Sequence, residues 1–184
     1  MMSRTARPGG MAKGGSHVPN KKLLFVCTGN TCRSSMAAAL ARRALAERGL
    51  TGRVEVISAG LFARPGDPAS PRAVAVMGEW GIDLHRHRAR QLTPRDVAGA
   101  DLVLVMTAGH HRQVRQMVPE AGDRIHTLAA YAGVDADVPD PFGRPLEAYR
   151  RCAVDLRLLV ERAVDRLAGE WFSGRTGGRG AGPA

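Results

Sequence analysis

The chain has few of the features that mark secreted, membrane-spanning or nucleic-acid-binding proteins. Its 184 residues include three cysteines, an odd number that does not favour a disulfide scaffold, and no signal-like apolar stretch, so we expect a reducing cytoplasm. No apolar run approaches the roughly 18 residues of a membrane-spanning helix, which argues against a membrane span. The two Trp, two Tyr and four Phe are too few, and too scattered, to alternate with basic side chains as in a nucleic-acid-binding surface.

The positive charge of the sequence is concentrated at its two ends. The formal net charge is +10, yet residues 1–22 carry five basic residues and no acidic one, and residues 172–184 carry two more basic residues. A net charge of only +3 is left for the body of the chain, which argues further against a nucleic-acid partner. Composition predicts a disordered basic extension at 1–20 and a disordered Gly-rich tail at 172–184. Residues 21–171 have the length of one domain.

The most informative stretch is Cys-Thr-Gly-Asn-Thr-Cys-Arg-Ser at residues 27–34, called the phosphate loop below. It lies between an apolar run at 23–26 and an alanine-rich run at 36–45, which predicts a tight loop between a buried strand and a helix. The N–H groups of such a loop and of the helix N-terminus bind anions. Cys27 adds a nucleophile and Arg33 a planar cation, a pattern typical of phosphoryl transfer through a thiolate. We expect the pKa of Cys27 to lie well below about 8.5, within the range of about 3.5–7.5 found in such surroundings.

Strand and helix patterns alternate along the rest of the chain. Strands are predicted at about 22–26, 54–57, 101–106 and 124–128, and helices at about 34–48, 70–81, 94–98, 107–117 and 145–169. On the last helix, Val154 and Leu158 are expected on the apolar side. The order predicts an α/β fold: a single-domain, open, mostly parallel four-stranded sheet with helices on both faces, as in Rossmann-like proteins.

A thiolate phosphoryl transfer also needs an acid for the leaving group and a base for water. The best candidate is Asp140, in an Asp-Pro-Phe-Gly stretch within a polar, proline-broken loop at 135–145. Phe142 is expected to form an apolar wall beside it. Asp135 and Asp137 are close in sequence and compete with Asp140 for this role.

Four motifs, in order and at the right spacing, resemble those of the low-molecular-weight protein tyrosine phosphatases over about residues 22–170. They are the phosphate loop with its trailing Met-Ala, Ser-Ala-Gly at 58–60, His-Arg-Ala-Arg-Gln at 87–91 and Asp-Pro-Phe at 140–142. The resemblance implies a phosphocysteine intermediate on Cys27, a phosphate clamp at Arg33, and Asp140 as proton donor and then base. It also implies phosphorylated proteins as substrates and no cofactor or metal, since backbone N–H groups and Arg33 supply the positive charge.

The same resemblance assigns roles to the residues around these three. Ser34 would donate a hydrogen bond to the thiolate, and Asn30 would hold a left-handed turn that asparagine tolerates. Ser58 and His87 are expected to bond to that asparagine. The residues expected to line the bound phosphate and its substituent are Thr28, Gly29, Asn30, Thr31, Cys32, Ser34 and Phe142.

Two positions depart from the common pattern of the family. Ser35 replaces the usual proline after the loop serine, which should leave the anion site intact. Thr31 replaces a bulky aliphatic residue and, with the Asp-Pro-Phe-Gly stretch, resembles the bacterial protein arginine phosphatases. Its hydroxyl would bond a guanidinium nitrogen, with Asp135 or Asp137 as a further partner, so we expect phosphoarginine as the substrate and keep phosphotyrosine as the alternative.

Other hypotheses stay open at this point. Cys32 either packs in the core or forms a protective disulfide with Cys27 under oxidation. A thiol-dependent arsenate reductase shares this type of loop but needs further cysteines, and residues 61–139 contain none. A non-catalytic phosphate-binding module would not need Cys27. We expect a monomer as the default, with the oligomeric state itself left open.

Overall fold

The computed structural model describes residues 21–173; the predicted extension at 1–20 and residues 174–184 of the predicted tail lie outside the described residues. The four strands are β1 (Lys21–Cys27), β2 (Val54–Gly60), β3 (Leu102–Val105) and β4 (Ile125–Thr127). The helices are α1 (Arg33–Glu47), α2 (Pro71–Gly78), α3 (Pro94–Gly99), α4 (Ala108–Met117), a 3₁₀ helix (Pro119–Arg124), α5 (Leu128–Tyr131) and α6 (Leu146–Phe172). None of the helices within this range combines the length and hydrophobicity that crossing a membrane requires.

The sheet has the strand order β2-β1-β3-β4, and every neighbouring pair is parallel. Side chains of β1 alternate between two apolar cores because successive residues of a strand point to opposite faces. Leu23 and Phe25 pack with α1, α2, α5 and α6 on one face, whereas Leu24 and Val26 pack with α3, α4 and the 3₁₀ helix on the other. The predicted α/β fold, a four-stranded sheet covered on both faces, is confirmed.

The strand order places the start of α1 at a switch point of the sheet. The chain leaves β1 and returns on one side as β2, then crosses to the other side as β3. Loops that follow neighbouring strands diverge at such a point and leave a crevice at the carboxyl edge of the sheet. The loop 27–34, which follows β1, lies in this crevice.

Helix boundaries follow the capping signals in the sequence. Ser70 and Thr93 each accept a hydrogen bond from a backbone N–H of the helix that they precede, and a proline follows each of them. Thr107 caps α4 in the same way. Two short elements were not predicted, the 3₁₀ helix and α5, because neither is long enough to show a periodic apolar pattern.

The long C-terminal helix differs from its prediction in two respects. Val154 and Leu158 are about half exposed, 50% and 51%, rather than buried with the apolar side. The buried stripe instead passes through Cys152, Leu156 and Leu159; Leu156 lies two residues, about 200° around the helix axis, from both Val154 and Leu158. Phe172, which was assigned to the tail, is the last residue of α6.

Gly60 lies at the end of β2 where no side chain fits. A Cβ at this position would lie 2.5 Å from the carbonyl oxygen of Thr28 and 3.0 Å from the backbone nitrogen of Asn30. We predict that Gly60→Ala lowers the free energy of unfolding by about 1–3 kcal/mol, the usual cost of overpacking a rigid site. Urea unfolding measures this effect.

Gly78 provides the matched control, because a Cβ there would meet nothing within 4 Å. Gly78→Ala should leave stability unchanged or raise it by about 0.5–1 kcal/mol, as alanine does in a helix. Equal midpoints for Gly60→Ala and the wild type would show that the loop backbone is free to move away from the added methyl group.

Candidate active site

Cys27 is the last residue of β1, and its sulfur is held by two residues of the phosphate loop. Its Sγ lies 2.9 Å from Ser34 Oγ and accepts a hydrogen bond of 3.3 Å from the Asn30 N–H. Ser34 Oγ itself accepts from Asn30 Nδ2 at 2.8 Å, so its hydroxyl hydrogen is directed to the sulfur. The contact between Ser34 and the thiol is the one that the sequence resemblance implied.

The pKa of Cys27 differs from the prediction. Burial raises the pKa of this thiol above its ordinary value, and burial outweighs the hydrogen bonds from Ser34 and Asn30 and the charge of Arg33, all of which lower it. The sequence shows the donors and the cation but not how completely the sulfur is buried. The hydrogen bonds and the charge of Arg33 therefore reduce the free-energy cost of forming the buried thiolate. They do not bring the pKa of Cys27 below its free value.

Asn30 organises the loop. Its φ of +58° places it in the left-handed region, which is rare for a residue other than glycine. Its amide Nδ2 also donates to Ser58 Oγ at 2.9 Å, its Oδ1 accepts from the Arg90 N–H at 3.0 Å, and His87 Nε2 bonds its carbonyl oxygen at 2.6 Å. The predicted contacts of Ser58 and His87 with this asparagine are thus present, and Arg90 contributes a backbone contact that was not predicted.

His87 is neutral in this environment and donates through Nε2. Burial lowers the pKa of His87 below its usual value, more than the bond to the Asn30 carbonyl raises it. A neutral imidazole that donates through Nε2 to a carbonyl oxygen is a fixed tautomer. The ring is therefore a support for the loop backbone.

Arg33 is the first residue of α1, and its side chain is only 5% exposed. One terminal nitrogen, Nη1, donates to the Val138 carbonyl at 3.1 Å, and the other, Nη2, donates to Asp140 Oδ2 at 2.8 Å. Both partners belong to the loop that leads into α6. The guanidinium thus connects the phosphate loop to the loop that carries the candidate acid.

Asp140 is the acidic residue of that loop which reaches the site. Its carboxylate is about half exposed and also accepts from the Phe142 N–H at 3.1 Å. Asp137 instead accepts from the Ala108 N–H at the start of α4. Neither Asp135 nor Asp137 lines the cleft, so the structure does not bring the two competing aspartates to the site or to a substrate guanidinium.

The cleft above the loop has a volume of ≈ 210 Å³, and Asp140 is the one carboxylate among the described residues that line it. Phe142 stands at its rim with 72% of its surface exposed, and Thr31 is partly exposed. Cys32 is buried, and its sulfur lies 3.5 Å from Tyr149 Oη. The full set of lining residues is Cys27, Thr28, Gly29, Asn30, Thr31, Cys32, Arg33, Asp140 and Phe142.

One buried residue next to the site was missed by the sequence analysis. His110 on α4 is 7% exposed, and its Nε2 lies 2.9 Å from Thr28 Oγ1 in the phosphate loop. Burial, followed by the charge of Arg33, lowers its pKa, so the ring is neutral near pH 7. The sequence held one signal for this residue. His110 lies four residues before Val114 on α4, so a polar side chain occupies a position on the apolar face of a helix that starts at the same edge of the sheet.

Three groups meet at the switch point of the parallel sheet: a buried cysteine, a guanidinium from the following helix and a carboxylate from a facing loop. This combination is typical of an α/β protein with a cysteine-based phosphate site. A family model, described as low molecular weight phosphotyrosine protein phosphatase, matches residues 22–171. The chain belongs to this family.

The relatives carry two kinds of name. A protein-arginine-phosphatase of Geobacillus stearothermophilus is 45% identical over 150 residues, which cover 81% of this chain and 97% of the relative. A probable low molecular weight protein-tyrosine-phosphatase, EpsP, of Ralstonia solanacearum is 41% identical over 145 residues, covering 79% and 92%. The solved structure of the YwlE arginine phosphatase from Geobacillus stearothermophilus superimposes with a TM-score of 0.77 at 42% identity, covering 86% of this chain and 99% of that one.

The hydrogen bond between Ser34 and Cys27 generates a prediction about pH dependence. Ser34→Ala removes a bond that lowers the thiol pKa. A hydrogen bond to a charged group is worth about 1.5–3 kcal/mol, so the pKa should rise by about one to two units. The pH profile of inactivation by iodoacetamide, which reacts with the thiolate, should shift upward by that amount.

Ser35→Ala is the matched control, since Ser35 Oγ bonds the Cys32 carbonyl and not the nucleophile. Its pH profile should coincide with that of the wild type. A profile for Ser34→Ala that also coincides with the wild type would mean that the serine does not stabilise the thiolate.

Proposed function

We propose that this protein is a phosphoprotein phosphatase that works through a phosphocysteine on Cys27, with phosphoarginine as its main substrate. One observation carries the mechanism: Arg33 donates to Asp140 at 2.8 Å, and both residues line the same cleft as Cys27. Nucleophile, oxyanion clamp and acid therefore share a single cleft.

The three cysteines in the described range are unpaired, which fits our proposal that the enzyme acts in a reducing cytoplasm.

In the first step Cys27, which has released its thiol proton to water, attacks phosphorus as the thiolate and forms an S–P bond. The bond from phosphorus to the leaving group breaks, and its electron pair goes to the leaving nitrogen of phosphoarginine, or to the oxygen of phosphotyrosine. A proton from the Asp140 carboxyl neutralises that atom. The dephosphorylated residue leaves, and Asp140 is left as the carboxylate.

In the second step water attacks the phosphocysteine. Asp140 takes a proton from the water as the new O–P bond forms, and the S–P electron pair returns to Cys27 as the thiolate. Inorganic phosphate is released, and the carboxyl group is protonated again for the next cycle. A residue that serves as acid in one step and base in the next must face both the leaving group and the water, which a half-exposed position at the mouth of the cleft permits.

Fixed hydrogen-bond donors stabilise the negative charge of the phosphoryl group during its transfer. The phosphate loop presents backbone N–H groups at the N-terminus of the 15-residue helix α1, and Arg33 adds a buried guanidinium. Donors that are in place before the reaction do not have to reorganise during it, which is the main source of catalysis in phosphoryl transfer.

Two features support phosphoarginine. The relative that is 45% identical is named a protein-arginine-phosphatase, and the superimposed YwlE structure is that of an arginine phosphatase. Thr31 lines the cleft in partly exposed form, so its hydroxyl is available to a guanidinium N–H of the substrate. Phosphotyrosine remains the second candidate, because the exposed Phe142 ring offers a face on which a phenol ring can pack and EpsP is named a tyrosine phosphatase.

The role of Asp140 is tested against its neighbour. Asp140→Asn should lower kcat by about 10²–10⁴, the usual contribution of general acid–base catalysis, and the loss should be smaller for aryl phosphates with good leaving groups. Steady-state hydrolysis of a phosphoarginine peptide and of p-nitrophenyl phosphate measures both effects.

Asp137→Asn is the control, because the asparagine keeps an oxygen for the Ala108 N–H. It should retain kcat within about threefold, since it removes no group that contacts the reacting atoms. A large loss in Asp137→Asn together with a small one in Asp140→Asn would reverse the assignment.

The substrate assignment is tested at Thr31. Thr31→Ile removes the hydroxyl and should lower kcat/KM for a phosphoarginine peptide at least about tenfold relative to a phosphotyrosine peptide, since one unmade polar contact in a pocket discriminates strongly. Thr31→Ser retains the hydroxyl and should keep the wild-type preference. An unchanged preference in Thr31→Ile would remove the structural support for phosphoarginine while leaving the thiolate mechanism intact.

A further inference from the structure

A second cleft, of ≈ 340 Å³, lies among α1, β2 and the loop 83–90, and neither Cys27 nor Arg33 lines it. It is lined by arginines of the run that follows Asp83, and the side chains of these arginines have no role in the proposed reaction. Four guanidinium-bearing residues line it, and Asp83 is the one acidic residue of the described chain that does. The arginines are Arg42, Arg86, Arg88 and Arg90.

The positive charge of this cleft is only partly neutralised. Arg90 pairs with Asp96 at 2.8 Å, and the Asp83 carboxylate is occupied by the backbone and ring of His85. Even when both carboxylates are counted against the four guanidinium groups, two positive charges are left over. Two guanidinium groups without a carboxylate partner repel each other. The cleft therefore attracts a ligand that carries two negative charges.

The hydrogen bonds of these arginines leave them free to bind an anion. Arg42 donates to the Val56 carbonyl at 2.8 Å, and Arg88 donates to the carbonyls of His85 and His87 at 2.9 and 2.7 Å. A carbonyl oxygen orients a guanidinium without neutralising it. Within residues 21–173, neither of these two arginines forms an ion pair.

Two of these arginines, on separate elements, act on one side chain of the cleft. Burial lowers the pKa of His87, and the charges of Arg42 on α1 and Arg88 on the loop lower it further, so both guanidinium groups lie within electrostatic range of this ring. Guanidinium groups from two separate elements that line one cleft are an arrangement that binds phosphate groups in other proteins.

We propose that this cleft is a second anion site, which binds a small ligand bearing a diphosphate group. Two unmatched guanidinium groups suit the paired oxygens and multiple charges of a diphosphate better than the single charge of a carboxylate. The site is separate from the catalytic loop but next to its supports, because Ser58 and His87, which line the cleft, both bond to Asn30.

The test is a calorimetric titration with inorganic pyrophosphate in low-salt buffer, where screening is weak. The catalytic loop is first disabled in Arg33→Ala and, independently, by carboxymethylation of Cys27 in the wild type, so that the result does not depend on the folding of one variant. Each form should still bind about one equivalent of pyrophosphate. Adding Arg42→Gln and Arg88→Gln should weaken this binding at least about tenfold, a loss of about 1.4 kcal/mol.

The control replaces two arginines elsewhere and so removes the same charge. Arg115 on α4 and Arg162 on α6 do not line the cleft, and the pair Arg115→Gln and Arg162→Gln should change the affinity less than about twofold if the site is specific. An equal loss in both double variants would reveal nonspecific attraction to a basic protein. Absence of binding in both loop-disabled forms would also overturn the proposal.

Discussion

The phosphate loop depends on the amide of a single asparagine. A left-handed backbone, which costs an ordinary L-residue about 1–2 kcal/mol and which asparagine tolerates better than most, is imposed on Asn30. The amide of this fully buried side chain is engaged by Ser34, Ser58 and the Arg90 N–H, and each buried polar group left without a partner would cost about 1–3 kcal/mol. The hydrogen bonds therefore outweigh the strain, and the loop keeps its shape because the sheet and the 83–90 loop hold one side chain from several directions.

The same arrangement explains how the nucleophile is both buried and usable. Burial at the end of β1 keeps Cys27 away from water and opposes its ionisation, whereas Ser34, the Asn30 N–H and Arg33 act in the other direction. Arg33 also positions the candidate acid, because its Nη2 donates to the Asp140 carboxylate at the cleft. The guanidinium of Arg33 thus acts on both groups: its charge favours the Cys27 thiolate, and its Nη2 holds the Asp140 carboxylate.

Much of this could be predicted from the sequence, for local reasons. The loop between β1 and α1 lies within a few residues of chain, so its geometry follows from the apolar runs on either side and from the spacing of Cys27 and Arg33. Contacts that join distant segments were not visible without a resemblance: the choice of Asp140 over Asp137 depends on which carboxylate reaches Arg33, and His110 meets the loop across 82 positions. The raised pKa of Cys27 was missed because burial is a property of the whole fold.

The central claim is that the phosphoryl group passes through the sulfur of Cys27. Rapid denaturing quench during turnover of a phosphoarginine peptide, followed by peptide mapping, would locate the covalent phosphate. We expect phosphate on the peptide that contains Cys27, as an S–P species by ³¹P NMR, with its level raised in Asp140→Asn when hydrolysis of the intermediate becomes the slower step. Turnover with no covalent phosphate, or with phosphate on a different residue, would contradict it.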